Sequence, residues 1–279
     1  MRELGYTVRR TRGLKPPTLS FLLEYRELLQ FLIWRDIKVR YKQTTIGIAW
    51  AVLQPLSMMI VFTVFFGHLA SIPSEGVAYP VFAYTALLPW QLFSRAITES
   101  TNSLVVDQRL ITRVYFPRII VPTASVFSAV IDFMVASVLL VGLMYYFGIT
   151  PRWTILCLPL FLFVMMITAL GVGYWLSALN LEYRDVMYAV PFINQIWFFL
   201  TPIVYSSSMV PAEWQLVYGL NPMVSVIEGC RWSLLGHGHA PGPMIWVSLV
   251  MSLMLFWSGY AWFSWRERKF VDAVGSGGR

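Results

Sequence analysis

The residues able to do chemistry in this chain are few, and their spacing narrows what they can do. Asp132 lies inside a long apolar run. A carboxylate costs about 2.5–3.5 kcal/mol at a bilayer centre on insertion scales, so it faces protein or a cavity. Pairing with polar groups on another span is the favoured reading, and a proton or cation pathway is the alternative. Glu228 and Arg231 are spaced for mutual contact on one helix. Arg35, Lys38, Arg40 and Lys42 form a basic stretch suited to a phosphate group, although the cytoplasmic flank of any span is basic for topological reasons. Asp107, Arg109 and Arg113 share a short segment, 104–118, with Val105, Leu110, Ile111 and Val114. An amphipathic helix there, with the charges exposed, reads either as a solvated turn or as a docking lever for a soluble partner. Pro117 stops it. His237 and His239 have Cys230 nearby and His68 on another loop. No carboxylate–histidine motif accompanies them, so a polar Gly/Pro loop is expected rather than a metal site.

Other chemistry is missing from the sequence. None of Lys15, Lys38, Lys42 and Lys269 follows a glycine, so there is no Walker A phosphate loop. There is neither a Gly-x-Ser-x-Gly elbow nor a His-Glu-x-x-His helix. The chain does not read as an enzyme.

The elements that must position these residues are membrane spans. Mean hydropathy is +0.63 and only 13% of residues are charged, about half the usual share of a soluble domain. Residues 43–74, 153–181 and 232–265 contain no Asp, Glu, Lys or Arg, and about 20 apolar residues suffice to cross a bilayer. Spans are expected at about 46–67, 81–103, 119–147, 155–179, 187–205 and 244–264. This places 19 of the 21 Lys and Arg on one side, counting Arg95 with the second internal loop, and leaves Arg152 and Arg231 on the other. Basic loops stay in the cytoplasm, so both termini are expected there. The net charge of +7 is therefore read as topology and contact with membrane lipid, not as a nucleic-acid surface.

Residues 1–18 read as a flexible basic tail without the apolar core of a cleavable signal, and 266–279 as a cytoplasmic tail. Residues 19–40 read as an amphipathic interface helix. Phe21, Tyr25, Leu28, Leu32 and the adjoining Leu22, Leu29, Ile33 form one face, with Glu24, Glu27, Arg35 and Lys38 turned away. A plain extension of the first span is the alternative. Between Pro211 and Pro243 two apolar pieces, 212–219 and about 223–235, are too short to cross. They read as a re-entrant pair and external gate, with Trp214, Glu228, Arg231 and Trp232 as its candidate residues. The fold expected is an all-α integral membrane domain over 19–265, with six transmembrane helices. Cys157 and Cys230 are too differently placed for a disulfide to be expected. Aromatic residues make up 16% of the chain. Belts at the interfaces account for most of them, and Trp90, Phe93, Trp197 and Phe198 are candidates for lining a glycan channel.

Several blocks, in order, resemble the permease subunits of type 2 ABC transporters that export lipid-linked polysaccharide, the lipopolysaccharide O-antigen branch in particular. They are Tyr25-Arg-Glu-Leu-Leu29 with Trp34-Arg-Asp-Ile-Lys-Val-Arg-Tyr-Lys-Gln-Thr44, then Leu87-Leu-Pro-Trp90, then Leu110-Ile-Thr-Arg-Val-Tyr-Phe-Pro-Arg118. Ala178-Leu-Asn180 with Tyr183-Arg-Asp185, and Asn221-Pro-Met223 with Ile227-Glu-Gly229 and Arg231-Trp232, complete the set. The resemblance covers about residues 20–272. It implies a homodimer in a bacterial inner membrane, bound to two copies of a separate nucleotide-binding ATPase subunit that holds ATP and Mg. This chain would then need no cofactor of its own. It further implies coupling to the ATPase through Asp107, Arg109, Leu110, Arg113, Tyr115 and Phe116, with a second contact at Arg184 and Asp185. The substrate entrance would carry Arg35, Lys38, Arg40 and Lys42. The cargo implied is an undecaprenyl-diphosphate-linked glycan. Export of teichoic acid or capsular glycan by the same family, an ion-coupled secondary transporter using Asp132, and an intramembrane glycan-modifying enzyme are the rivals.

Overall fold

Helix signals in the sequence fix most element ends. The computed structural model describes residues 24–42, 46–114, 116–236 and 242–267. The expected N-terminal tail, residues 268–279 of the expected C-terminal tail, Phe21, Leu22, Tyr115, His237 and His239 lie outside the described residues, whereas Arg266 and Glu267, expected in that tail, are helical. Every regular element among those residues is helical. The first, Arg26–Lys42 (α1), is followed by Trp50–Phe62 (α2), which continues into wider turns over Thr63–Leu69. Tyr79–Val106 (α3) starts with Pro80 in its first turn, where a missing N–H costs nothing. Asp107 is the C-cap of α3, and a separate short helix, Gln108–Arg113 (α4), begins after it. The segment expected as one amphipathic helix is therefore a helix end, a turn and a helix. Ile120–Tyr146 (α5), Leu158–Glu182 (α6) and Val186–Phe199 (α7) follow.

The two short pieces expected before the last span are Ala212–Tyr218 (α8) and Pro222–Leu235 (α9). Asn221 caps α9 by accepting from the Met223 N–H at 3.1 Å. Gly236 ends it in the left-handed conformation at φ 63°, where a side chain would be strained. Met244–Glu267 (α10) closes the described chain.

Among the described residues, four stretches are long and apolar enough to cross a membrane: Gly47–Leu69, Ile120–Tyr146, Trp153–Glu182 and Met244–Glu267. The chain is a multi-pass, all-helical membrane protein. The other two expected spans have different characters. α3 has 28 residues, about 42 Å at 1.5 Å per residue. It carries Arg95 and Glu99, and its apolar face is the centre of the main core. α7 has 14 residues and stops at Phe199. Pro202 disfavours a helical residue before it, so the chain expected to stay helical to 205 runs irregularly from there.

Polar side chains tie the helices to α3. Asn180 of α6 donates to the Thr101 carbonyl at 2.9 Å, and Asn194 of α7 donates to the Thr98 hydroxyl at 3.1 Å. Small residues let α6 and α10 cross closely: a Cβ on Gly171 would meet the Leu255 backbone. Thr168 donates to Ser252 at 2.9 Å across the same contact. A second apolar cluster joins Leu32, Leu104, Ile111, Ile120, Ala178 and Phe263. It gathers the C-terminal ends of α3, α6 and α10, the start of α5, and both α1 and α4 at one end of the molecule.

A candidate entrance cleft and its charge cluster

α1 rests on that end through Leu32, with Tyr25, Leu28, Leu29 and Ile33 packed beside it, the face expected from the sequence. Its outer face leaves Phe31 and Trp34 exposed. Lys38 lies over the Trp34 ring at 4.3 Å, and Lys42 is exposed. Arg35 does not turn away as expected. It donates to Asp107 at 2.5 Å and to the neighbouring Asp36 at 2.8 Å. Burial works against the Arg35 charge, but Asp107 and then Asp36 outweigh it and raise its pKa. Asp107, expected to be exposed beside Arg109 and Arg113, is thereby pinned to α1.

Arg40 and Tyr41, at the last turn of α1, reach inward. Arg40 donates to Asp132 of α5 at 2.8 Å, and also bonds Glu99 of α3 and the Ser128 hydroxyl at 3.2 Å. Tyr41 donates to the other Asp132 oxygen. Arg95, counted from the sequence with a cytoplasmic loop, lies inside α3 and donates to Asp132, with Glu99 3.8 Å away. The pairing favoured for Asp132 is therefore present, with two arginines and a tyrosine as partners. Arg95, Glu99, Tyr41 and Ser128 escaped the sequence reading. The signal was there: two opposite charges four apart inside an otherwise apolar segment.

Arg95, Glu99 and Asp132 of this cluster line a cleft of about 510 Å³ walled by α2, α3, α5 and α7, with Gln54, Ser57, Gln91 and Trp90 among its other lining residues. Counting helical rise from Val106, Glu99 and Arg95 sit about 10 Å and 16 Å from the C-terminal end of α3. Of the candidate channel aromatics, Trp90 and Phe198 line this cleft. Phe93 is fully buried and packs edge-on against Trp197, with ring centres 5.0 Å apart. Trp197 donates to Asn221 at 2.8 Å, so it braces the start of α9.

At the other end the proposed gate residues divide. Trp214 is exposed and Trp232 partly buried. Glu228 and Arg231 are both buried and lie 3.3 Å apart, as their spacing suggested. Arg231 donates to the carbonyls of Pro202, Ile203 and Tyr205 at 2.7, 2.6 and 3.0 Å. Its guanidinium also lies 3.6 Å from the Phe82 ring centre. Glu228 accepts from the Ser207 N–H at 3.1 Å. The pair pins the irregular chain after α7 onto α9.

Of the residues expected to meet an ATPase partner, Arg109, Arg113, Arg184 and Asp185 are exposed and Leu110 is partly buried. Phe116, read as a docking residue, points inward and belongs to the second apolar cluster.

The profile of the ABC-2 type transporter family matches residues 27–235. Among curated proteins, the O-antigen export system permease protein RfbA of Myxococcus xanthus is 28% identical over 91% of this chain and 97% of its own length. Its namesake from Klebsiella pneumoniae is 30% identical over 74% of this chain and 79% of its own length. The polysialic acid transport protein KpsM of Escherichia coli is 21% identical over 88% and 95%. The match spans every element from α1 to α9, including the entrance cleft, the α4 turn and the Arg231 pin: this chain belongs to the ABC-2 type transporter membrane family.

Proposed function

We propose that this chain is the membrane subunit of an ATP-driven exporter that moves an undecaprenyl-diphosphate-linked, O-antigen-type polysaccharide outward across a bacterial inner membrane. The observation carrying this reading is the near full-length similarity to O-antigen export permeases. KpsM, at lower identity, keeps capsular glycan as the second cargo. Two copies of this subunit and two of a separate ATPase subunit are the assembly. In support of a dimer, α2 and α7 bury few residues and leave much apolar surface unpartnered within one chain.

In this reading α3 and α7 complete six spans, with α3 shielded by the others and α7 extended by the pinned chain after it. α8 and α9 dip into the outer leaflet and return. Both termini lie in the cytoplasm, and the exposed Arg109, Arg113, Arg184 and Asp185 face the ATPase. α1 lies at the entrance, where Arg35, Lys38, Arg40 and Lys42 meet the headgroup. ATP and Mg are used by the partner, and no bond of the cargo is broken by this chain.

The test follows lipid-linked glycan in cells lacking the chain, using a glycan label on sealed, oriented membrane vesicles. Accumulation on the cytoplasmic leaflet, with synthesis intact and surface polymer lost, is expected. Normal surface polymer would reject this cargo.

A further inference from the structure

The cleft holds more charge than helix packing calls for. Arg40 and Arg95 come from different helices, yet both reach the same oxygen of Asp132. Glu99 takes the other arm of Arg40. Two guanidiniums and two carboxylates neutralise one another; Arg95, Glu99 and Asp132 line a cleft of about 510 Å³, and Arg40 joins them from α1. Each such charge is costly at membrane depth and marks a functional site by default. Well-packed apolar residues commonly hold helices together at least as well as a buried ion pair, so stability alone does not explain the cluster. The bonds run from side chain to side chain, so each guanidinium can change partners without disturbing a backbone carbonyl. Guanidinium groups stay charged and match phosphate oxygens with a two-pronged fork. Gln54, Ser57 and Gln91 continue the polar lining away from them.

We propose that Arg40 and Arg95 form a binding site for the diphosphate of a membrane-embedded lipid, guarded by Asp132 and Glu99, whose carboxylates the incoming phosphate oxygens displace. Displacement removes the Arg40–Asp132 bond and leaves Tyr41 on the other Asp132 oxygen as the remaining tie between the end of α1 and Asp132. This deepens the proposed function and rests on it. It adds Arg95, a residue inside α3, as a ligand-binding group, and gives the two acids a sign opposite to that of the arginines.

The experiment measures binding of polyprenyl diphosphate to the full chain in lipid nanodiscs, with polyprenol and inorganic pyrophosphate as comparison probes. Arg95→Gln is expected to weaken the diphosphate lipid about tenfold or more, the scale of a charge-assisted hydrogen bond. Asp132→Asn is expected to tighten it, because a competing carboxylate is gone. Should Asp132→Asn not fold, Glu99→Gln carries the same expectation, since Asp132 then still holds both arginines. A cluster that only braces helices gives no such opposite pair. Weakening by both kinds of variant, or no change in either, overturns the proposal. Equal binding of polyprenol shows that the diphosphate is not recognised, and equal binding of pyrophosphate assigns the site to free phosphates. Either result also overturns it. Wild-type protein that binds the lipid as well as Arg95→Gln does sinks this site alone. Wild-type protein that binds no diphosphate lipid sinks the cargo reading as well.

Discussion

Two charge clusters among the described residues, one around Arg231 and one around Arg95, are wired differently. At the outer end, Arg231 has a side-chain exposure of 3% and spends its donors on three backbone carbonyls and Glu228. At the inner end, Arg95 is 32% exposed and bonds only side chains that border a cleft. A guanidinium bonded to carbonyls supports a chain segment that has no helix of its own, and it cannot leave without orphaning that segment. A guanidinium bonded to carboxylates can exchange them for another anion. The outer site thus reads as structure and the inner as function, although both are arginine–carboxylate pairs at membrane depth.

The largest expected effect breaks the outer site. Arg231→Met leaves the carbonyls of Pro202, Ile203 and Tyr205 without this donor and the buried Glu228 carboxylate without its counter-charge. Removing one member of a buried pair costs about 3–5 kcal/mol. Little folded protein should be recovered, as read by size-exclusion chromatography and thermal unfolding, and a normal melting curve would refute the structural reading. Gly229→Ala strikes the same helix without touching charge. Its new methyl would meet the Phe161 ring, and overpacking of this kind costs about 1–3 kcal/mol. Melting should fall while export per folded molecule stays normal.

At the inner end the comparison predicts a different pattern. Charge reversal at the α1–α4 link, Arg35→Asp or Asp107→Arg, should each impair export in cells. The double exchange should restore part of it, with a coupling of about 0.5–3 kcal/mol for residues in contact, discounted because Arg35 is 28% exposed. An additive double variant would show that the link carries nothing. The smallest stability effect belongs to Arg109→Ala with Arg113→Ala. Both side chains are exposed, and such surface changes stay within about 0.5 kcal/mol. Melting should be unchanged while co-purification of the ATPase subunit falls. Unchanged co-purification would remove α4 from the partner interface.

Much of this was legible in the residues. The uncharged runs placed α2, α6 and α10, and the long apolar run interrupted only by Asp132 placed α5, because a bilayer imposes a length of about 20 apolar residues. Asn221, Pro222 and Gly236 marked both ends of α9, since a side-chain cap, a fixed φ and a left-handed residue each act within one turn. The contact between Glu228 and Arg231 followed from helical spacing. Local rules sufficed in each case.

Other features are decided by elements far apart in the chain. Arg40 and Asp132 are separated by 92 positions, and Arg35 and Asp107 by 72. No periodicity within either helix names the partner. Phe116 looked like a docking residue and is buried, because the turn after α4 rolls it onto α5 and α10. Phe93 and Trp197 looked suited to a channel and instead brace helices. The sequence by itself determined a helical membrane protein with basic residues gathered at the flanks of its spans, because hydropathy and charge act residue by residue. Only the tertiary structure decided which charges are fixed to backbone and which border a cleft, because that depends on the helices that close around each side chain.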